Sequence, residues 1–306
     1  MSSDANGKLT NMDPSSSNVR DAADAVKGII EAVPVYQDVV QPAAQEVGKA
    51  LQLVAKTVHI ALAPVSILVW GYEQIKDFVS TKVAEKLSGI SPEDIIPPKP
   101  HIAVPALEAL RYTGSQEELS NLYANLLASS MDAKTVADAH PGFVEIIKQL
   151  TPDEAKLLKH FSTTGTLPLI TLREESGTPH GGGFDIVKKL SYFGEEAGCE
   201  NVDLVPTYLD NLSRLGLIKI PDNYWYTDPA TYDSLFNHPR TIRFKEDIEF
   251  RNNAISGLKA QSPEFAIQLA HIGIPSATIT KQHVQITELG SLFIKGCVKD
   301  HRREVN

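Results

Sequence analysis

Apolar residues recur at three- and four-residue spacing along much of the chain's first half, a spacing that stacks them on one helical face. The densest run lies between Pro97 and Phe161. There Leu119, Leu122, Tyr123, Leu126 and Leu127 share a face behind a predicted Ser115–Glu118 capping box. His140-Pro141 opens a second helix whose apolar set is Phe143, Ile146, Ile147 and Leu150. Thr151-Pro152-Asp153-Glu154 opens a third, with a cap, a proline at the first helical position and acids at the positive end of the helix dipole. Upstream, the pattern predicts a short helix from Val19 to Ala32 and a longer one through Val58, with Pro42 near its start. Another carries Ile67, Leu68, Ile75, Phe78, Val79, Val83 and Leu87 and ends at Ser88-Gly89. The proline-rich segment 91–100 reads as an extended connector, and Pro105–Tyr112 as a short helix.

After Phe161 the period changes. Residues 166–172 are strand-like and 175–183 form a loop, whereas Phe184–Phe193 alternates too weakly for a strand and is compatible with a helix. Leu204–Leu215 reads as a helix that a glycine ends before the strand-like LGLIKI. RTIRFKEDIEF (240–250) fits strand and helix equally. Residues 283–298 read as a strand followed by a helix, with Thr287 as its cap.

The 306 residues carry 42% hydrophobic and 22% charged side chains, a globular composition with room for two domains. Net charge is −9 and the isoelectric point about 5.5. Residues 1–150 hold 12 basic and 18 acidic side chains and residues 151–306 hold 17 and 20, so neither half is basic. An acidic chain repels a phosphate backbone at long range, which argues against nucleic acid as a partner. Cys199 and Cys297 are too few for a disulfide framework or a four-cysteine zinc site and fit a reducing, cytoplasmic setting. Residues 1–18 are polar, read as a disordered lead-in, and lack the basic and apolar regions of a secretory signal.

Two resemblances bear on function. VPTYLDNLSRLGLIKI (205–220), followed far downstream by HVQITELGSLFIKGCV (283–298), is similar to the winged-helix pattern. Leu209, Leu212 and Leu215 would face its core, Gly216 would turn the chain into a wing strand, and Thr287, Leu289 and Gly290 would start a later helix. The second covers Tyr36 to the end. Gln41-Pro42-Ala43-Ala44 with Val47-Gly48-Lys49-Ala50, then LAPVSILVWGYEQIKDFV, PALEALRYTGSQEELSNLYANLLASSMD and AHPGFVEIIKQLTPDEAKLLKHF, resemble the Abi-alpha family. That bacterial domain is grouped with abortive-infection anti-phage proteins. The resemblance implies cytosolic phage defence and supplies no catalytic residues. The expected fold is mainly α with a C-terminal α+β part: a helical domain over 19–150, then a winged-helix-like domain over 151–306.

Candidate chemistry is sparse. The nine histidines form no metal-binding spacing, and the Gly181–Gly183 run lacks the features of a phosphate loop, so neither metal nor cofactor is expected. His140 reads as a helix-entry residue and His180 as part of a mobile loop. Thr57–Tyr72 is the most apolar stretch. It is shorter than the roughly 20 residues of a membrane-spanning helix and is broken at Pro64. It reads as buried core, or as a segment entering a membrane on a trigger, with Ile67, Leu68, Trp70 and Tyr72 as the contacts. Arg111 and Tyr112, beside Gly114, read first as anchors of the helix turn and otherwise as candidates for holding a partner protein. Thr207, Asn211 and Arg214 are candidates for touching nucleic acid. A groove-reading helix presents basic and amide groups, and with Asp210 present and Arg214 as the lone cation this one is a weak reader. The expected function is a non-enzymatic anti-phage protein working through protein contacts, a phage-encoded protein being one candidate partner. Conditional membrane insertion is the alternative and a DNA-binding regulator the second. The oligomeric state is left open.

Overall fold

The computed structural model describes residues 71–300, apart from 89, 179–180, 223 and 269–272. The expectations for 1–70, including the lead-in, the first helices and most of the apolar segment, lie outside the described residues. The chain divides into two compact units, one ending at Gln149 and rejoined by Lys299 and Asp300, the other Leu150–Val298.

The first unit is helical. Helix α1 (Tyr72–Phe78) continues through a π-helical segment (Val79–Val83) into α2 (Ala84–Leu87). The expected apolar set, Ile75, Phe78, Val79, Val83 and Leu87, is buried. Segment 91–100 is tied down over part of its length. After a 3₁₀ turn (Pro92–Asp94), Ile95 bridges Asp132, Ile96 N–H donates to the Met131 carbonyl and Ala133 N–H to that of Asp94. Helix α3 (Pro100–Thr113) starts five residues before the expected Pro105, because Pro100 takes the first turn and Pro105 is accommodated inside. Helix α4 (Glu117–Met131) begins after Gln116, which makes no side-chain cap bond, so the Ser115–Glu118 box does not form. The tight turn from α3, in which Gln116 N–H donates to the Thr113 carbonyl, puts Gln116 at the cap position. Helix α5 (Gly142–Ile147) buries Phe143, Val144 and Ile147, with Ile146 half-buried.

The second unit is α+β. Helix α6 (Pro152–Thr163) has the predicted capping box: Thr151 Oγ1 accepts from Glu154 N–H at 3.2 Å and Glu154 Oε2 from Thr151 N–H at 2.7 Å. Strands β1 (Pro168–Glu175) and β2 (Gly183–Leu190) form a hairpin, followed by α7 (Phe193–Ala197), α8 (Val205–Arg214) and β3 (Ile218–Lys219). Then come a 3₁₀ turn (Pro229–Tyr232), α9 (Asp233–Phe236), α10 (Pro239–Gln261), α11 (Pro263–Gln268), β4 (Ser276–His283), β5 (Gln285–Ile286) and α12 (Glu288–Phe293). The sheet is antiparallel in the order β2-β1-β4, and β3 pairs separately with β5.

Three expectations changed. Residues 183–190 are a strand whose exposure alternates, but the outward positions hold apolar Phe184 and Ile186 while the more buried ones include Asp185 and Lys189. No apolar/polar alternation therefore marks it, and its register with β1 slips twice. Residues 240–250 are helix: α10 buries only Thr241, Phe244 and Ile248, and exposed Ile242 and Phe250 blur its period. Strand β4, rich in β-branched residues over 278–280, was not anticipated at all.

Two packing centres result. Helix α10 lays Phe244 and Ile248 on Ile170, Leu172 and Leu190 of the sheet, with Tyr232 and Leu235 closing the cluster. Elsewhere Phe161 of α6 meets Phe193 of α7 edge-on at 5.2 Å, beside buried Leu209, Leu212 and Phe293. Each fully buried leucine or phenylalanine stabilises by roughly 1.5–3 kcal/mol. Thr287 caps α12 by accepting from Gly290 N–H at 2.9 Å and donates to the Gly216 carbonyl at 2.5 Å, fixing β3 to the helix start. Gly290 is required there, since a Cβ would stand 1.9 Å from the Leu217 carbonyl oxygen.

Candidate functional site

The buried stripe of α10 runs Thr241, Phe244, Ile248, and the helical period carries it on to Arg251, Ile255 and Leu258. The sheet beneath does not match that extension with apolar residues. Two residues past Leu172, β1 presents Glu174, flanked by Phe184 of β2 and Ala277 of β4. Glu174 is buried, and Arg251 clamps it with two parallel bonds, Nη1 to Oε1 and Nη2 to Oε2, each 2.7 Å. The bonds to the Glu174 carboxylate raise the Arg251 guanidinium above its ordinary value, so Arg251 stays charged.

Beyond this last rung the helix and sheet part, leaving an open cleft of about 460 Å³. Phe184, Ala254, Ile255 and Pro275 give it apolar walls, Ser176 and Thr178 a hydroxyl pair 3.0 Å apart. Gly177, at φ 67°, lets the hairpin loop approach the Ile274 carbonyl, where a Cβ would stand at 1.9 Å. Apolar side chains are exposed around it: Phe184 is 59% exposed, and Phe250 and Leu258 of α10 and Ile274 of the loop before β4 are exposed on the segments that border the cleft. An open apolar cleft with a rigid guanidinium at one end suits an apolar side chain or peptide better than a small polar substrate.

A second buried carboxylate lies at the start of α6. Asp153 accepts from the N–H groups of Glu200 and Asn201, both at 2.9 Å, from the Tyr208 hydroxyl at 3.2 Å and from Lys156 at 3.4 Å. Burial is the largest single effect and opposes ionisation, but the two backbone bonds, Lys156 and Tyr208 together hold the carboxyl below its ordinary value. Beside it, burial first and the Asp153 charge second push the Cys199 thiol up to about 11, so it stays a thiol at neutral pH. This cluster pins the α7–α8 connection onto α6.

The sequence candidates scatter. Thr207 and Arg214 are exposed on α8. Half-buried Asn211 donates to Glu154 Oε1 at 2.8 Å and accepts from Arg214 Nε and Nη2 at 3.0 and 2.7 Å; Asp210 pairs with Lys189. The outward face of α8 is thus occupied with its own pairings. Arg111 is enclosed in the helical core with no exposed surface, whereas its neighbour Tyr112 is 60% exposed, so any partner contact at this place falls on Tyr112. Tyr72 begins α1, and Ile67, Leu68 and Trp70 lie outside the described residues. His140 fits its helix-entry reading, its Nδ1 accepting from Gly142 N–H at 3.0 Å.

The family model described as abortive infection alpha matches residues 71–297, which takes in both units. The chain belongs to that family. No curated protein and no solved structure matches it. Among the described residues of this Abi-alpha chain, no group of three or more His, Cys, Asp or Glu could hold a metal ion, and no helix is long and apolar enough to cross a membrane. Sequence reasoning missed the cleft because its residues come from three separate stretches, near 174–184, 251–255 and 273–275. The available signal was Phe250, a large apolar residue off the core stripe of a helix rich in charge.

Proposed function

We propose that this Abi-alpha chain is a non-enzymatic phage-defence protein of the bacterial cytosol that senses or relays infection by gripping another protein, a phage-encoded one in the simplest case. The observation that supports this is the cleft between α10 and the sheet. It gathers exposed apolar side chains around one fixed ion pair, the make-up of a contact surface with an aromatic anchor and a polar rim. We read α6, α7, α8, β3, β5 and α12 as a winged-helix-like frame, into which the β1–β2 hairpin and the segment from α9 to β4 are inserted. On this reading the insertions, which build the cleft, carry the function, and α8 packs rather than reading a nucleic-acid groove. The activity needs no cofactor.

Tagged chain captured from phage-infected and uninfected cells tests the reading. It expects an infection-specific protein bound by wild type and lost from Phe184→Ser and Ala254→Arg, two exposed positions that leave the core intact. Equal capture by wild type and both variants would end it. Membrane potential followed in the same infected cultures separates relay from insertion of residues 57–72: collapse that requires Leu68, abolished by Leu68→Asp in a folded chain, favours insertion.

A further inference from the structure

The two outer edges of the three-stranded sheet differ, and we propose that the β4 edge is where a second copy of this chain pairs, β4 against β4, antiparallel about a two-fold axis at Ile279. The register of β1 with β4 is unbroken from Pro168 opposite His283 to Glu175 opposite Ser276, and Val284 N–H donates to the Leu167 carbonyl at 2.9 Å. Antiparallel alternation then turns the backbone groups of Ser276, Thr278, Thr280 and Gln282 toward β1 and those of His283, Ala277, Ile279 and Lys281 outward. His283 is buried beside Tyr224 and Tyr226, and the other three lie further along the strand. Among the described residues no other strand pairs with that outward side, and no backbone hydrogen bond to those three residues comes from a turn or loop. Ala277 is exposed and the other two are half-buried.

Open edges are usually guarded, and β2 is. Its register slips twice, Lys189 sits in a left-handed conformation, and Lys188 is exposed. Strand β4 has no bulge and no proline. Its one charge, Lys281, is drawn over the rings of Tyr232 and Phe236, at 5.4 and 5.3 Å.

The occupant follows from the pattern of the edge itself. A two-fold axis at Ile279 sets Ala277 opposite Lys281 of the second copy, Ile279 opposite Ile279, and Lys281 opposite Ala277. Each such pair can exchange both backbone bonds, so the outward donors of Ala277, Ile279 and Lys281 each meet an acceptor. On the other face, Thr278 lies opposite Thr280 of the second copy, a favourable cross-strand pair, and no like charges are opposed. An isologous contact of this kind closes as a dimer and leaves no further edge of the same type.

Sedimentation equilibrium of the full chain over a concentration series tests the pairing, with hydrogen exchange at both ends of the series. Reversible dimerisation is expected, with the amides of Ala277, Ile279 and Lys281 slowing as concentration rises while those of Thr278 and Thr280 are protected throughout. Ala277→Lys opposes two lysines in each of two symmetric pairs and weakens the dimer about tenfold. Adding Lys281→Glu to that variant restores it by making both pairs opposite in charge. A monomer at every concentration, a dimer indifferent to Ala277→Lys, or concentration-independent exchange at the three outward amides would each overturn the proposal. The exchange arm uses wild-type protein and holds even where a variant fails to fold.

Discussion

Asp153 and Glu174 are both buried carboxylates of the same α+β unit, yet they sit at sites of opposite kind. Asp153 collects two backbone N–H groups, a tyrosine hydroxyl and a lysine from its own unit. Glu174 is held by one half-exposed arginine, and beyond that arginine the layers separate into an apolar cleft. The first arrangement satisfies a loop's backbone and closes a corner. The second spans the point where apolar packing stops and the open cleft begins. The contrast teaches that two buried carboxylates of one unit can do different structural work, one tying a connection to a helix and one ending a packed layer at an open cleft.

The largest effect is expected at the closed corner. Asp153→Ala strands two part-buried N–H groups and the buried Tyr208 hydroxyl and lowers unfolding free energy by about 3 kcal/mol, read from urea denaturation. Arg251→Ala leaves Glu174 without its clamp. Because Arg251 is 46% exposed, water screens part of the change, and a loss of about 2 kcal/mol is expected. A value for Arg251→Ala above that for Asp153→Ala would reverse the contrast. Thr287→Ala removes the α12 cap and its tie to Gly216, for about 1 kcal/mol. Phe184→Ser, at the cleft, changes stability by less than about 0.5 kcal/mol, the level of an exposed position.

The pH dependence sharpens the same comparison. Asp153 has a folded-state value below its ordinary 3.8, so folding is favoured by its ionised form. That stability is fully present above the ordinary value and is lost as pH falls through the lowered folded value. Asp153→Asn should therefore flatten the acid limb of a stability-against-pH curve. An unchanged acid limb would show that the network does not hold the carboxylate ionised.

Much of the helical unit was legible because its signals are local. The period of Leu119, Leu122, Tyr123, Leu126 and Leu127 sets the buried face of α4, and each is buried. The Thr151–Glu154 box and the Thr287 cap are also read from a few adjacent residues. What escaped depends on distant partners. Strand β2 needs β1 to define its bulges, β4 is a strand only beside β1, and α10 shows its narrow buried stripe only against the sheet. Ser115 failed as a cap because the turn out of α3, not the side chain, fixes where α4 begins. The cleft was illegible for a related reason: Arg251 finds Glu174 across a long stretch of sequence, and no local spacing announces that pair.

The central claim, defence through the cleft, is tested most directly by the efficiency of phage plating on hosts carrying wild-type chain, Phe184→Ser or Ala254→Arg at equal abundance. The account predicts that wild type lowers plating and that both variants restore it toward that of a host without the chain, while their unfolding curves match wild type. Undiminished protection by the two folded variants would contradict it.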